Sequence, residues 1–216
     1  NDVNNPKSNR KILKAEQIFV ACGRVPNTDS LNLKAAGIKV GKRKEIIINN
    51  KLQTTNKRVY AVGDVTGKAM FAHSAKRESF IALQNIFKTK KSSINFNLVP
   101  WACFTDPPMA AIGLSEYAAI EKKVPFSILK AYFSRVGRAA IIGETEGFVK
   151  VLYHKTNKKI LGCFIIGPDA DDIIHEFVDV MNSKSPNIDT IKKAIHIHPT
   201  LSEVIDTLHE VPSRLY

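Results

Sequence analysis

Val59-Tyr60-Ala61-Val62-Gly63-Asp64-Val65-Thr66-Gly67 is a short apolar, β-branched run that stops abruptly at Gly-Asp. Such a run reads as a buried strand whose carboxyl end carries an acid. Ligands of open α/β sheets bind at those ends. Gly63 lets backbone approach a ligand closely, and Asp64 can accept hydrogen bonds from sugar-like hydroxyls. Gly and Asp are also ordinary turn residues, so the pair alone is a weak signal. The next residues strengthen it. Met70-Phe71-Ala72-His73-Ser74-Ala75 opens a helical pattern running through Phe80, Leu83 and Phe87. A helix N-terminus, with free N–H groups and the positive end of the helix dipole, therefore lies beside the strand end.

Outward from this point the pattern divides into two regions. In the first, residues 17–21 and 59–62 read as buried strands, 44–49 as a short strand and 71–87 as a helix; the Lys- and Ser-rich stretch 89–95 is a linker. In the second, residues 101–105, 110–113, 126–133, 147–154 and 159–166 read as five strands. They are spaced too closely to carry a helix in every connection, which predicts an antiparallel or mixed sheet with helices packed on it. Those helices are expected at 115–122, 170–182, 188–194 and 200–208. The apolar stripe Ile173, Ile174, Phe177, Val178 and Met181 has helical spacing. Core packing is its default reading, and packing across a homodimer is the alternative.

Near the C-terminus the chain reads His198-Pro199-Thr200-Leu201-Ser202-Glu203. An imidazole with an unperturbed pKa of about 6.5 takes a proton near neutral pH, and a carboxylate on its other ring nitrogen fixes the tautomer. If Pro199 starts a helix, Glu203 lies one turn in and its side chain leans back toward His198. Thr200-x-x-Glu203 is equally a capping box, in which the Glu serves only the unsatisfied backbone N–H groups.

Four segments in order carry a resemblance: Ala21-Cys22-Gly23-Arg24-Val25-Pro26-Asn27; Tyr60 to Val65; Phe104-Thr105-Asp106-Pro107-Pro108 with Ile112-Gly113-Leu114-Ser115-Glu116; and His198 to Glu203. Together they resemble the flavin-dependent pyridine nucleotide-disulfide oxidoreductases, over nearly the whole chain from about Ala15. The branch that includes dihydrolipoamide dehydrogenase and mercuric-reductase-like proteins is the most similar, and Gly143 to Lys150 and Ile174 to Phe177 also look like it. The resemblance implies an α+β chain in which 1–14 is the tail of a nicotinamide domain and 15–95 an α/β remnant of the FAD-binding domain. Residues 96–216 would form a two-layer α+β dimerisation domain with a mainly antiparallel sheet.

It further implies that Asp64 bonds the flavin ribityl chain beside Gly63, and that the backbone at Ala72 and His73 faces the pyrimidine edge of the isoalloxazine. Gly23 and Arg24 would be flavin-proximal. His198 as base and Glu203 as its orienter would complete the active site of the other subunit of a homodimer. The implied cofactors are FAD with NAD or NADP, and the implied substrate is a small dithiol or disulfide. Thiolate is the competent nucleophile in such exchange, so the base that takes up the thiol proton governs its rate.

The family's Gly-x-Gly-x-x-Gly phosphate loops and Cys-x4-Cys redox pair do not occur in this sequence. The expectation is therefore a C-terminal portion of a longer reductase, inactive by itself, with self-association as its own activity. Mercuric reductases usually end in a vicinal cysteine pair and replace the His-Glu base. Here the sequence reads Ser213-Arg214-Leu215-Tyr216 and keeps His198 and Glu203, which argues against mercuric ion.

Composition bounds the remaining classes. The 216 residues, 44% of them hydrophobic, suffice for one or two domains with a proper core. No apolar run approaches the ~18 residues of a membrane span, and the three scattered cysteines, Cys22, Cys103 and Cys163, favour a reducing cytoplasm. A net charge of +12 raises nucleic-acid binding. Yet the lysine clusters lack interleaved aromatics and an Arg-rich recognition helix, so solvated surface is the better account. No metal site is expected: His175-Glu176 lacks the second His of a zinc-protease helix, and His196-x-His198 has no evident third ligand. His196 is assigned to a packed or surface strand position.

Overall fold

The computed structural model describes residues 12–212. Most of the tail expected at 1–14, and the Ser213 to Tyr216 segment, lie outside the described residues. In the first region the expected strands do not form. Residues 17–21 form no regular element, and Ile18, Phe19 and Val20 are exposed. The other two reduce to isolated bridges, Val40 to Ile46 and Gln53 to Tyr60. A strand is held by the ladder to its neighbours, and among the described residues no further strand runs beside these. The apolar side chains pack nonetheless: Ala61 joins Ile38 and Ile46, while Tyr60 and Val62 lie on Leu52, Ile81 and Ala82.

Helix α1, Ala72–Phe87, falls where the pattern predicts it, but its faces are reversed. Ser74, Glu78, Ile81, Ala82 and Asn85 form the buried side, at helical spacing. Phe80, Leu83 and Phe87, the stripe that marks the helix in the sequence, face outward.

The second region holds β1 (Trp101–Cys103), β2 (Met109–Gly113), α2 (Glu116–Glu121), β3 (Phe126–Tyr132), α3 (Gly137–Ile142), β4 (Phe148–His154), β5 (Ile160–Ile166), α4 (Ala170–Asn182), α5 (Ile188–Lys192) and β6 (His209–Val211). The strands form one six-stranded sheet in the order β1-β2-β5-β4-β3-β6. Every pairing is antiparallel, which settles the antiparallel-or-mixed alternative. The five expected strands are present within a residue or two. The sixth, β6, is three residues long and pairs with β3, and α3 also goes beyond the sequence expectation.

Period-two alternation gives the sheet two apolar faces. On β3, Leu129 and Ala131 enter the main core beneath α4, whereas Phe126 and Ile128 meet Ala119 of α2 on the opposite face. Ile173, Ile174, Phe177 and Met181 of α4 are buried in this same core, with Val178 at its edge. Four of the five side chains of the stripe are thus covered within the chain, and Val178 is half-buried. The helix expected at 200–208 is a 3-10 segment, Leu201–Thr207, whose Leu201, Val204 and Ile205 close the core at the end nearest β3.

Candidate functional site

The Gly63-Asp64 pair opens a 3-10 turn, Gly63–Thr66, packed against the first two turns of α1. Gly63 is buried at φ +75, a backbone conformation that favours glycine, and a Cβ there would lie 3.2 Å from the Ala75 Cβ, so the turn seats closely on α1. The contact is pinned by Glu78, a fully buried carboxyl that sequence reading missed. Its Oε2 accepts the Gly63 N–H at 2.7 Å and its Oε1 accepts the Ser74 hydroxyl at 2.7 Å. The available signal was its place at i+4 from Ser74, on the face shared with Ile81.

Asp64 itself is left exposed, and Phe71 gives α1 no side-chain cap. An open acceptor and the unsatisfied first-turn N–H groups of a 16-residue helix therefore belong to one packed unit. Arg24 ties the unit together. Its Nη1 donates to the Met70 carbonyl at 2.6 Å and stands 3.9 Å from Asp64 Oδ2. The ion pair is exposed on both sides and contributes about 1 kcal/mol at most. Gly23, at φ +120, is exposed and a Cβ there would meet nothing. His73 Nε2 lies 2.8 Å from the Pro100 carbonyl, and its ring stacks on Phe71 with centroids 5.2 Å apart. Ala72 and His73 also line a cleft of about 490 Å³ with Trp101, Phe104 and His175.

The second group is His198 with Glu203. His198 Nδ1 is 2.8 Å from Glu203 Oε1, while Glu203 Oε2 accepts the Thr200 N–H at 2.9 Å. The two readings of Glu203, orienter and cap, are both realised, one oxygen each. The hydrogen bond from His198, and then that from the Thr200 amide, hold the Glu203 carboxyl below the usual carboxylate range. With Nδ1–H donating to Glu203, the lone pair resides on Nε2, which has no hydrogen-bond partner among the described residues. The His198 side chain is 78% exposed and can meet an incoming proton donor. Pro199 follows a cis peptide and precedes the 3-10 segment rather than starting a helix. No hydrogen bond or ion pair among the described residues joins this pair to the Arg24–Asp64 unit.

Elsewhere, His196 Nδ1 is 2.7 Å from Asp206 and Nε2 is 2.9 Å from Glu176, so both ring nitrogens are occupied. Among the described residues no group of three or more His, Cys, Asp or Glu side chains is placed to hold a metal ion. None of their helices is long and apolar enough to cross a membrane. Cys163 is buried, which pushes its thiol well up from its ordinary range, while Cys22 and Cys103 are exposed.

Comparison with known proteins gives a consistent result. Residues 99–209 match the family model of the pyridine nucleotide-disulphide oxidoreductase dimerisation domain, and residues 2–79 match that of pyridine nucleotide-disulphide oxidoreductase. The chain is 34% identical over 215 residues to a dihydrolipoyl dehydrogenase of Chlamydia trachomatis, covering 95% of this chain and 46% of that protein. It is 38% identical over 165 residues to a mercuric reductase of Staphylococcus aureus, covering 76% and 30%. The structure of the HOCl-induced flavoprotein disulfide reductase RclA from Escherichia coli superposes with a TM-score of 0.76 at 27% identity, over 87% of this chain and 43% of that one. The chain spans about half the length of the first of these relatives, or less.

Proposed function

Because the chain belongs to the pyridine nucleotide-disulphide oxidoreductase family, we propose that it forms part of the flavin domain and the dimerisation domain of an FAD-dependent NAD(P)H:disulfide oxidoreductase. The proposed division is residues 15–95 for the flavin segment and 96–216 for the dimerisation domain. The separate apolar clusters within 33–96 and 98–211 support it. The outward apolar face of α1 supports packing of the flavin segment against more of that domain.

In this reading Asp64 accepts from the ribityl hydroxyls beside Gly63, the Ala72 and His73 amides donate to the pyrimidine edge, and Gly23 and Arg24 lie close by. The residues fit such a group: the helix amides are uncapped, the acceptor is exposed, and glycine lets the turn seat tightly on α1. FAD, when bound, supplies two-electron transfer between a nicotinamide and a redox disulfide. The 216-residue chain, with no phosphate loop and no Cys-x4-Cys pair in its sequence, is inactive alone. Its exposed thiols and its inert buried Cys163 suit a reducing cytoplasm.

The observation that carries the function is the His198–Glu203 pair, with Nε2 exposed and the tautomer fixed. Nε2 takes the proton of a substrate thiol and returns it to the departing one, while Glu203 stabilises the imidazolium. The exposed Ile195 and Ile197, just before His198, support an apolar surface for a second copy, at whose active centre His198 acts in this reading. The preserved base favours a dithiol or disulfide substrate over mercuric ion, although relatives of both kinds resemble the chain. In the complete reductase, His198→Gln is expected to slow disulfide exchange about 10² to 10⁴-fold, with reduction by the nicotinamide unaffected. Equal loss in both half-reactions, or in neither, would sink the assignment.

A further inference from the structure

His196 shares with His198 a carboxylate on Nδ1 but differs in burial and in the second carboxylate on its Nε2. Its side chain is 5% exposed, against 78%. Along the segment after α5, Ile195 and Ile197 are exposed while the His196 ring is covered. There Asp206 Oδ1 lies 2.7 Å from Nδ1 and Glu176 Oε2 lies 2.9 Å from Nε2. A carboxylate oxygen only accepts, whereas a neutral imidazole carries a single N–H. Both contacts are satisfied together only by the imidazolium. Glu176 belongs to α4 and Asp206 to the 3-10 segment Leu201–Thr207, which also carries Glu203.

We infer that His196 is a positioning residue: a buried imidazolium strut that clamps the 3-10 segment to α4 and so holds the backbone from which His198 and Glu203 meet. The inference rests on the reading of His198 as the base. The charged groups facing the ring are Glu176 from α4, Asp206 from the 3-10 segment and, at longer range, Glu203. Among the described residues neither Glu176 nor Asp206 pairs with a lysine or arginine, so His196 is the positive charge between two negative ones. Burial alone would push its pKa down. The bonds to Asp206 and Glu176 outweigh burial and leave it raised. A raised folded pKa means that the strut is fully present below the ordinary imidazole pKa of about 6.5 and is lost as pH rises through the folded value. The loosening therefore belongs to the alkaline side.

The test combines ring titration with rate measurements. In the histidine-labelled 216-residue chain, nitrogen NMR is expected to show both His196 N–H groups retained at neutral pH, and Asp206→Asn to move the ring titration to lower pH. In the complete reductase, Asp206→Asn is expected to draw the alkaline limb of the kcat profile down in step. His196→Asn is expected to cut kcat at least tenfold with KM for the nicotinamide unchanged, and His196→Arg, which restores a cation with donors on both sides, to recover part of it. A His196 ring that titrates as free imidazole, or an alkaline limb indifferent to Asp206→Asn, overturns the strut. A raised His196 titration beside a fully active His198→Gln enzyme overturns instead the base assignment on which the strut's catalytic role depends.

Discussion

Removing the Glu78 carboxyl tests whether the Gly63-Asp64 turn is held by hydrogen bonds rather than by shape. The side chain is fully buried, and each oxygen receives one donor at 2.7 Å, the Gly63 N–H and the Ser74 O–H. Glu78→Ala strands both donors in the protein interior, and each stranded group costs about 1–3 kcal/mol. Together they come to about 2–6 kcal/mol. If the turn opens locally, the Gly63 amide should exchange with solvent faster by about 30-fold to about 10⁴-fold, at about 1.4 kcal/mol per decade. Glu78→Gln keeps an oxygen for Gly63, and the Ser74 hydroxyl can rotate to accept from the new amide. Its expected cost is only about 1 kcal/mol, or about fivefold in exchange. Native-state hydrogen exchange of the Gly63 amide, followed by NMR in all three proteins, reads the difference. A Glu78→Ala rate within tenfold of the parent, or a Glu78→Gln variant as damaged as Glu78→Ala, would refute pinning by the carboxyl.

Two further outcomes are expected. Phe177→Ala, at a site of zero exposure beneath the sheet, should cost about 3–5 kcal/mol in urea unfolding; Trp101, the single tryptophan, is the reporter, and a loss under 1 kcal/mol would show that α4 does not anchor this core. Glu203 has a lowered folded pKa, so its contribution is present above the ordinary glutamate value of about 4.3 and is lost as pH falls through the folded one. His198→Gln should move the acid midpoint of the Glu203 carboxyl upward by NMR, and an unmoved midpoint would contradict the 2.8 Å bond as its main cause.

The legible parts of the fold were those whose determinants are local. Strands β2 to β5 announce themselves as short, closely spaced apolar runs, and α4 by an apolar stripe that the structure buries in its own core. Strand β6 escaped because three residues are too few to show a period. Residues 17–21 have strand composition without a ladder to join, and β propensity expresses fit to neighbours rather than a backbone preference. In α1 the apolar stripe gave the helix but not its inner face, since the polar side is the one that packs on the Gly63 turn. The His198–Glu203 contact spans five residues and could be read from spacing. The partners of His196 lie twenty and ten residues away, where only tertiary structure brings them together.

The central claim is that His198 of one copy serves the flavin-binding unit of the other. Mixed dimers of the complete reductase test it directly, pairing a subunit carrying His198→Gln with a subunit carrying Gly63→Trp, which fills the buried turn against α1. If the site is shared, one intact centre survives per mixed dimer, built from the unaltered Gly63 turn of the first subunit and the unaltered His198 of the second, and about half the parent activity remains. Activity no higher than that of the His198→Gln homodimer would mean that each His198 serves its own chain, and the shared site would be wrong.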